Sequence, residues 1–166
     1  VIEPGIVEIA GGARLGYERP GTYLPGVYRG FFDAWGIKDD GLDNLGRDRR
    51  ELVPEEEYRG RIVNRHRHRL TDSLTLSAEL GWISDRNFLE QYFEREWDEE
   101  KDFASSIELK WLHENSSLSL SGNVRYNDFF TQTENVPKLE HFWLGQSLLF
   151  DRLTWYEHSH VGYAKL

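Results

Sequence analysis

The sequence predicts an all-β chain: an antiparallel up-and-down sheet, part of a transmembrane β-barrel, with short turns on one side and long loops on the other. Three observations predict it. Several segments of nine or more residues alternate apolar and polar side chains, the period of a strand with one apolar and one wet face. Their connections alternate between tight turns and long polar stretches, as in outer-membrane barrels. No apolar run approaches the roughly 20 residues of a membrane helix.

The elements follow in order. Residues 1–25 are read as N-terminal strands or a linker, with short strands at Ile6–Ala10 and Ala13–Glu18 around Gly11-Gly12. Val27–Ile37 is an aromatic-rich strand carrying Tyr28, Phe31, Phe32 and Trp35, and Arg59–Leu70 is a strand by position. In Leu74–Trp82, Leu74, Leu76, Ala78, Leu80 and Trp82 share one face, against Thr75, Ser77, Glu79 and Gly81. Phe103–His113 and Ser117–Asp128 repeat the pattern, the latter with Leu118, Leu120, Gly122, Val124 and Tyr126 against Ser119, Ser121, Asn123, Arg125 and Asn127. Such lengths suit tilted membrane strands of about 9–11 residues and exceed the roughly 5–6 usual in globular sheets. Further strands are expected at Ser147–His158 and Val161–Leu166. Thr71-Asp72-Ser73 and Glu114-Asn115-Ser116 are tight turns; about 38–58, 84–102 and 129–146 are long loops, with a helical turn expected within Asn87–Glu96. Loops of that length are uncommon inside compact soluble domains.

Composition narrows the function classes. Hydrophobic residues make up 39% and charged residues 30%, and the mean hydropathy of −0.65 is compatible with a barrel whose two faces average out. Aromatics reach 14%, with 6 Trp and 8 Tyr, which fits interfacial girdles and equally the aromatic core of a soluble β-protein. A formal charge of −9 argues against general nucleic-acid binding, which wants a basic surface. The absence of cysteine excludes a disulfide framework, a thiolate zinc site and a cysteine nucleophile. With no methionine, even at position 1, and no leader ahead of Val1, the chain reads as a mature product or an internal fragment.

Three segments carry a family resemblance. Ser84-Asp85-Arg86-Asn87-Phe88-Leu89-Glu90-Gln91-Tyr92-Phe93 follows a strand and precedes the acidic run Asp98-Glu99-Glu100. Upstream lies Arg59-Gly60-Arg61, leading into Asn64-Arg65-His66-Arg67-His68-Arg69-Leu70; downstream lies Thr131-Gln132-Thr133-Glu134-Asn135-Val136-Pro137-Lys138-Leu139. In this order they resemble the LptD family, or organic-solvent-tolerance proteins, the outer-membrane barrels that insert lipopolysaccharide. The resemblance covers roughly residues 55–150. It implies a large barrel of about 26 strands in the bacterial outer membrane. It also implies an LptE-like plug lipoprotein in the lumen, and periplasmic bridge proteins reached through a further N-terminal domain. No jelly-roll domain is recognisable here, and the family's inter-domain disulfides have no cysteines to form them. The chain is therefore expected to be a barrel segment. A complete eight-stranded barrel, structural or adhesive, and a soluble carbohydrate-binding β-sandwich are the alternatives.

Arg59, Arg61, Arg65, Arg67 and Arg69 fall on one strand face, interrupted by Val63. Such a lumenal row could contact a glycolipid, gripping phosphate or carboxylate groups through guanidinium forks. A structural network with Glu79 and other acidic neighbours is the alternative placed ahead of it. Asn64, His66 and His68, opposite, are poor lipid-facing residues, so this strand is expected to rise beyond the membrane or to be covered by protein. His66/His68 and His158/His160 lack two further ligands at telling spacing, so no metal site and no cofactor are expected. The clusters Asp39-Asp40, Glu55-Glu56-Glu57 and Asp98-Glu99-Glu100 read as solvated loop tips, with cation bridging to lipopolysaccharide as the alternative. Ser84-Asp85-Arg86-Asn87 has no nearby histidine and no nucleophile elbow, so no enzyme activity is expected. There Asp85 is expected to cap the turn starting at Arg86 while Phe88, Tyr92 and Phe93 pack it down, with Pro137 marking the downstream segment.

Overall fold

The structure is a computed structural model that describes residues 9–20, 25–46, 48–99, 105–127, 129 and 132–165. Among the described residues it is all-β, with 69% strand and 7% helix. The strands are β1 (Ile9–Pro20), β2 (Val27–Lys38), β3 (Asp43–Leu45), β4 (Arg49–Leu52), β5 (Tyr58–Arg69), β6 (Leu74–Ile83), β7 (Ser105–His113), β8 (Ser116–Val124), β9 (Glu134–Leu148) and β10 (Leu153–Lys165). Two short helices, α1 (Phe88–Tyr92) and α2 (Glu94–Glu99), lie between β6 and β7. Eight strands form one sheet in the order β1-β2-β5-β6-β7-β8-β9-β10, and β3-β4 is a separate hairpin between β2 and β5. Every neighbouring pair is antiparallel. Successive connections therefore fall at alternate ends of the sheet. Those at 21–26, 70–73, 114–115 and 149–152 share one end, and the long ones at 39–57, 84–104 and 125–133 share the other.

Register decides what each face presents, because directly paired residues point the same way. One row crosses all eight strands as Arg19, Tyr28, His68, Leu76, Leu109, Leu120, Leu139 and Val161. The adjacent row, on the opposite face, runs Glu18, Arg29, Arg67, Ser77, Glu108, Ser121, Lys138 and Gly162. One face is thus charged and polar, the other largely aliphatic and aromatic. The aliphatic face is the uncovered one: Leu120 is 48% exposed and Val161 67%.

Among the described residues buried apolar side chains are few, and those of the main sheet, Ile37, Val63 and Ile83, sit on the charged face. Val63 and Ile83 pack with Phe88 and Leu89 of α1, flanked by Phe31, Trp35, Tyr92, Phe93 and Phe129. This cluster lies where the β6–β7 loop folds back over β2, β5 and β6. It anchors a loop; it is not the core between two sheets.

Several boundaries differ from the sequence expectation. The expected strands at Ile6–Ala10 and Ala13–Glu18 are one strand, β1, and the start at Ile6 lies outside the described residues. Gly11-Gly12 is not a turn: a Cβ on Gly12 would sit 2.6 Å from Trp35 Cδ1, so glycine there makes room for the indole. The expected loop at 129–146 is mostly β9, and the expected strand Ser147–His158 is split by the β9–β10 turn. β8 ends at Val124 because the chain turns inward, with Arg125 N–H bonding Glu134 Oε1 at 2.8 Å and Asn127 Nδ2 bonding Ile83 O at 3.0 Å. The expected positions Phe103, Asp128, Thr131 and Leu166, and Glu100 of the acidic run, lie outside the described residues.

Candidate functional site

At the long-loop end, Arg59 is the fixed point. Its side chain is fully buried and faces three carboxylates that are themselves at most 4% exposed. Nε and Nη2 form a fork on Asp85 at 2.9 Å each. Nη1 donates to Asp39 at 2.9 Å and to Asp43 at 2.5 Å, and Nη2 donates to Asp43 at 3.2 Å. All five guanidinium N–H bonds are thereby used. Asp39 and Asp43 belong to the β2–β5 connection and Asp85 to the β6–β7 connection, so one arginine ties both long loops to the sheet.

The surplus negative charge is spread over further donors. Ser84 Oγ donates to Asp85 Oδ2 at 2.8 Å, Gly41 N–H donates to Asp39 Oδ1 at 2.8 Å, and the Tyr92 hydroxyl donates to Asp39. Burial alone pushes the Asp39 carboxyl up, but the Tyr92 hydroxyl, the Gly41 amide and Arg59 together hold it below its ordinary 3.8.

The segment Ser84–Phe93 builds the loop as its residue types suggest. Ser84 N–H bonds Gly60 O at 2.9 Å and Ser84 Oγ accepts from Gly60 N–H at 3.0 Å, closing the end of the β5–β6 ladder. Asp85 Oδ1 accepts from Asn87 N–H at 3.1 Å, capping the turn at the exposed Arg86. Phe88, fully buried, and Phe93 both pack on Trp35, with ring centroids 5.6 and 5.4 Å away; Tyr92 lies at 5.2 Å. Pro137 lies in β9, exposed, behind a cis Val136-Pro137 bond.

The five-arginine row divides. Arg59 and Arg61 are buried and bound to carboxylates, Arg61 to Glu96 and, at 3.5 Å, to Asp33, with its guanidinium 3.7 Å from the Phe93 ring centroid. Both hold the long loops to the sheet. Arg65 is partly exposed, 3.8 Å from Glu79 and stacked over Phe31. Arg67 and Arg69, nearer the short-turn end, are exposed. A cavity of about 700 Å³ opens there on the charged face, lined in part by Glu18, Arg29, Phe31, Arg65, Arg67 and Glu79. A second cavity, of about 350 Å³, shares Glu18, Arg29 and Arg67 with it and is also lined by Arg69 and Thr75. Arg29 was missing from the sequence expectation, although its place in the alternation of β2 put it on this face.

On the apolar face, the three residues that looked unsuited to lipid are satisfied locally. Tyr17 OH and His66 Nδ1 share a hydrogen bond at 2.9 Å, spanning Gly30, where a Cβ would lie 2.5 Å from the hydroxyl. His68, 2% exposed, donates Nε2–H to Pro25 O at 2.7 Å, and Asn64 Nδ2 donates to Phe31 O at 3.0 Å. Toward the same short-turn end, Trp111 stacks on His113, while His141 bonds Ser116 and Glu157 and lies beside Trp143. These rings form a belt at the short-turn margin of the apolar face. Tyr58 and Trp82 stand at its long-loop margin.

No protein-family model, curated protein or solved structure matches this chain.

Proposed function

We propose that this chain forms part of the wall of an outer-membrane barrel that transports lipopolysaccharide and inserts it into the outer leaflet. The observation that carries the barrel reading is the polarity of the sheet. The row Leu76, Leu109, Leu120, Leu139 and Val161 is uncovered, whereas the charged side chains lie on the face that the β6–β7 loop folds over. A soluble β-sandwich does the reverse, burying its aliphatic rows between sheets. An aliphatic face this broad is a lipid-contacting surface or an aggregation liability, and aromatic belts at both margins fit the first.

A complete eight-stranded barrel closes by pairing its first strand with its last. Here β1 pairs only with β2, and β10 only with β9, among the described residues. Further strands on those edges would remove both, which favours a larger barrel. The glycolipid part of the reading rests on the LptD-like order of motifs and on the wet, partly basic face with its cavities. In this reading the short turns are periplasmic and the long loops extracellular. Sugars and phosphates travel along the charged face while acyl chains leave sideways into the membrane. An LptE-like lipoprotein fills the lumen, and periplasmic bridge proteins deliver the lipid. The process is non-covalent and uses no cofactor.

Photo-crosslinking in outer membranes tests it. A photoreactive residue in place of Ser77, on the charged face, crosslinks lipopolysaccharide; the same residue in place of Leu76, one step along, does not. Absence of lipopolysaccharide adducts at Ser77, with the protein inserted, contradicts the transport reading.

A further inference from the structure

Arg29 and Arg67 stand directly opposite each other on β2 and β5, and like charges in that position destabilise a sheet. Arg69 lies two residues further on the same face, beside Val27 and Thr75. Neither Arg29, Arg67 nor Arg69 has an ion pair or side-chain hydrogen bond among the described residues. The nearby acids do not cancel them. Glu79 is turned to Arg65 at 3.8 Å, and Glu18, opposite Arg29 on β1, is one carboxylate against three guanidinium groups. The long-loop end shows the contrast: Arg59 and Arg61, on the same strand, are each met by carboxylates. The strand thus pairs its cations at one end and leaves them open at the other, where the cavities lie.

We propose that Arg29, Arg67 and Arg69 form a phosphate-receiving site for an anionic glycolipid at the short-turn end of the charged face. This rests on the barrel reading, which makes that face the lumen. Guanidinium forks suit phosphate because each presents two parallel N–H donors to two oxygens. A bound phosphate relieves the Arg29–Arg67 repulsion, and the cavity volume accepts a sugar headgroup as well as the anion. Phe31 and Gly16 in the cavity wall supply an apolar patch and open space beside the charges.

The test uses the complete barrel of which the proposed function makes this chain a part, folded in zwitterionic detergent, with binding measured calorimetrically. The probes are a bisphosphorylated lipid A-type glycolipid, its dephosphorylated counterpart, and inorganic phosphate. Wild type binds the phosphorylated glycolipid more tightly than the dephosphorylated one, and the difference shrinks as salt rises. The double variant Arg29→Gln/Arg67→Gln weakens phosphorylated glycolipid binding on the order of tenfold or more, as loss of charged hydrogen bonds implies. It leaves the dephosphorylated probe unaffected, and Arg152→Gln, in the exposed β9–β10 turn, changes neither. Equal binding of the two glycolipids, or a double variant that binds like wild type, overturns the site. Inorganic phosphate binding as tightly as the phosphorylated glycolipid overturns the glycolipid as its source. Insertion into lipid vesicles, followed by heat-modifiable gel migration, is scored separately. A variant barrel that inserts and still binds normally defeats this site alone, whereas a wild-type barrel that never inserts defeats the barrel reading beneath it.

Discussion

Replacing Arg59 with Met tests how the long loops are held. The side chain is fully buried, and the change removes five hydrogen bonds while leaving Asp39, Asp43 and Asp85 facing one another. Removing one partner of a buried ion pair costs about 3–5 kcal/mol, because the charge left behind has neither water nor counter-ion. The cost falls on loop docking, since the guanidinium links 39–57 and 84–99 to β5. Trypsin reports it: Arg50 and Arg95 lie in those loops, and cleavage tracks the opened population when closing is fast. A loss of about 3 kcal/mol raises cleavage at Arg50 and Arg95 by roughly a hundredfold. Arg59→Lys keeps the charge but offers three donors without the fork, so its effect falls between. Adding Asp43→Asn and Asp85→Asn to Arg59→Met recovers much of the loss, because the repulsion is gone. Cleavage of Arg59→Met within about threefold of wild type would refute the anchoring role.

Leu120→Arg and Ser121→Arg, neighbours on β8 facing opposite ways, should differ sharply in a bilayer. The first costs about 2–4 kcal/mol and the second little, read by urea titration of vesicle-inserted protein; equal costs contradict the face assignment. Phe88→Ala removes a fully buried ring from the Trp35–Tyr92–Phe93 cluster and should cost about 3–5 kcal/mol. Its signature is increased solvent exposure of Trp35 by fluorescence. Acid provides a third check. The Asp39 carboxyl is held below 3.8, so its contribution is complete above that value and disappears as pH falls through the lower, folded one. The near-ultraviolet signal of the Trp35 cluster should therefore persist at pH 4 and fade only in stronger acid. With Asp39→Asn, the signal loses part of that acid dependence.

What was legible in the sequence was whatever period two could carry. β6 showed both faces because its nine-residue alternation is unbroken, and β2 and β5 emerged with bounds within a residue. β9 stayed hidden, and β10 emerged only as two pieces with a misplaced start, for local reasons. Phe142, on the charged face, and Trp143, on the other, blur the alternation of β9, and Pro137 lies inside that strand. The turn after β9 uses Leu149, Phe150 and Asp151 at positive φ of 52°, 57° and 66°, with no glycine or asparagine to announce it. The arginine row was visible as a row, but its division was not. Asp39, Asp43 and Asp85 lie 20, 16 and 26 residues from Arg59, and only the folded loops bring them together. Asp39 looked like a solvated loop tip for the same reason. Asp85 was legible as a cap, since its bond to Asn87 is local; its fork on Arg59 was not.

The central claim is that the aliphatic face meets lipid and the charged face meets water. Because the chain has no cysteine, single spin labels placed through Leu76→Cys, Ser77→Cys, Ala78→Cys, Glu79→Cys and Leu80→Cys read β6 directly. In lipid vesicles, labels at 76, 78 and 80 should collide preferentially with oxygen, and labels at 77 and 79 with a water-soluble nickel chelate. A strand whose five labels all collide with the chelate, with no alternation, would contradict the account.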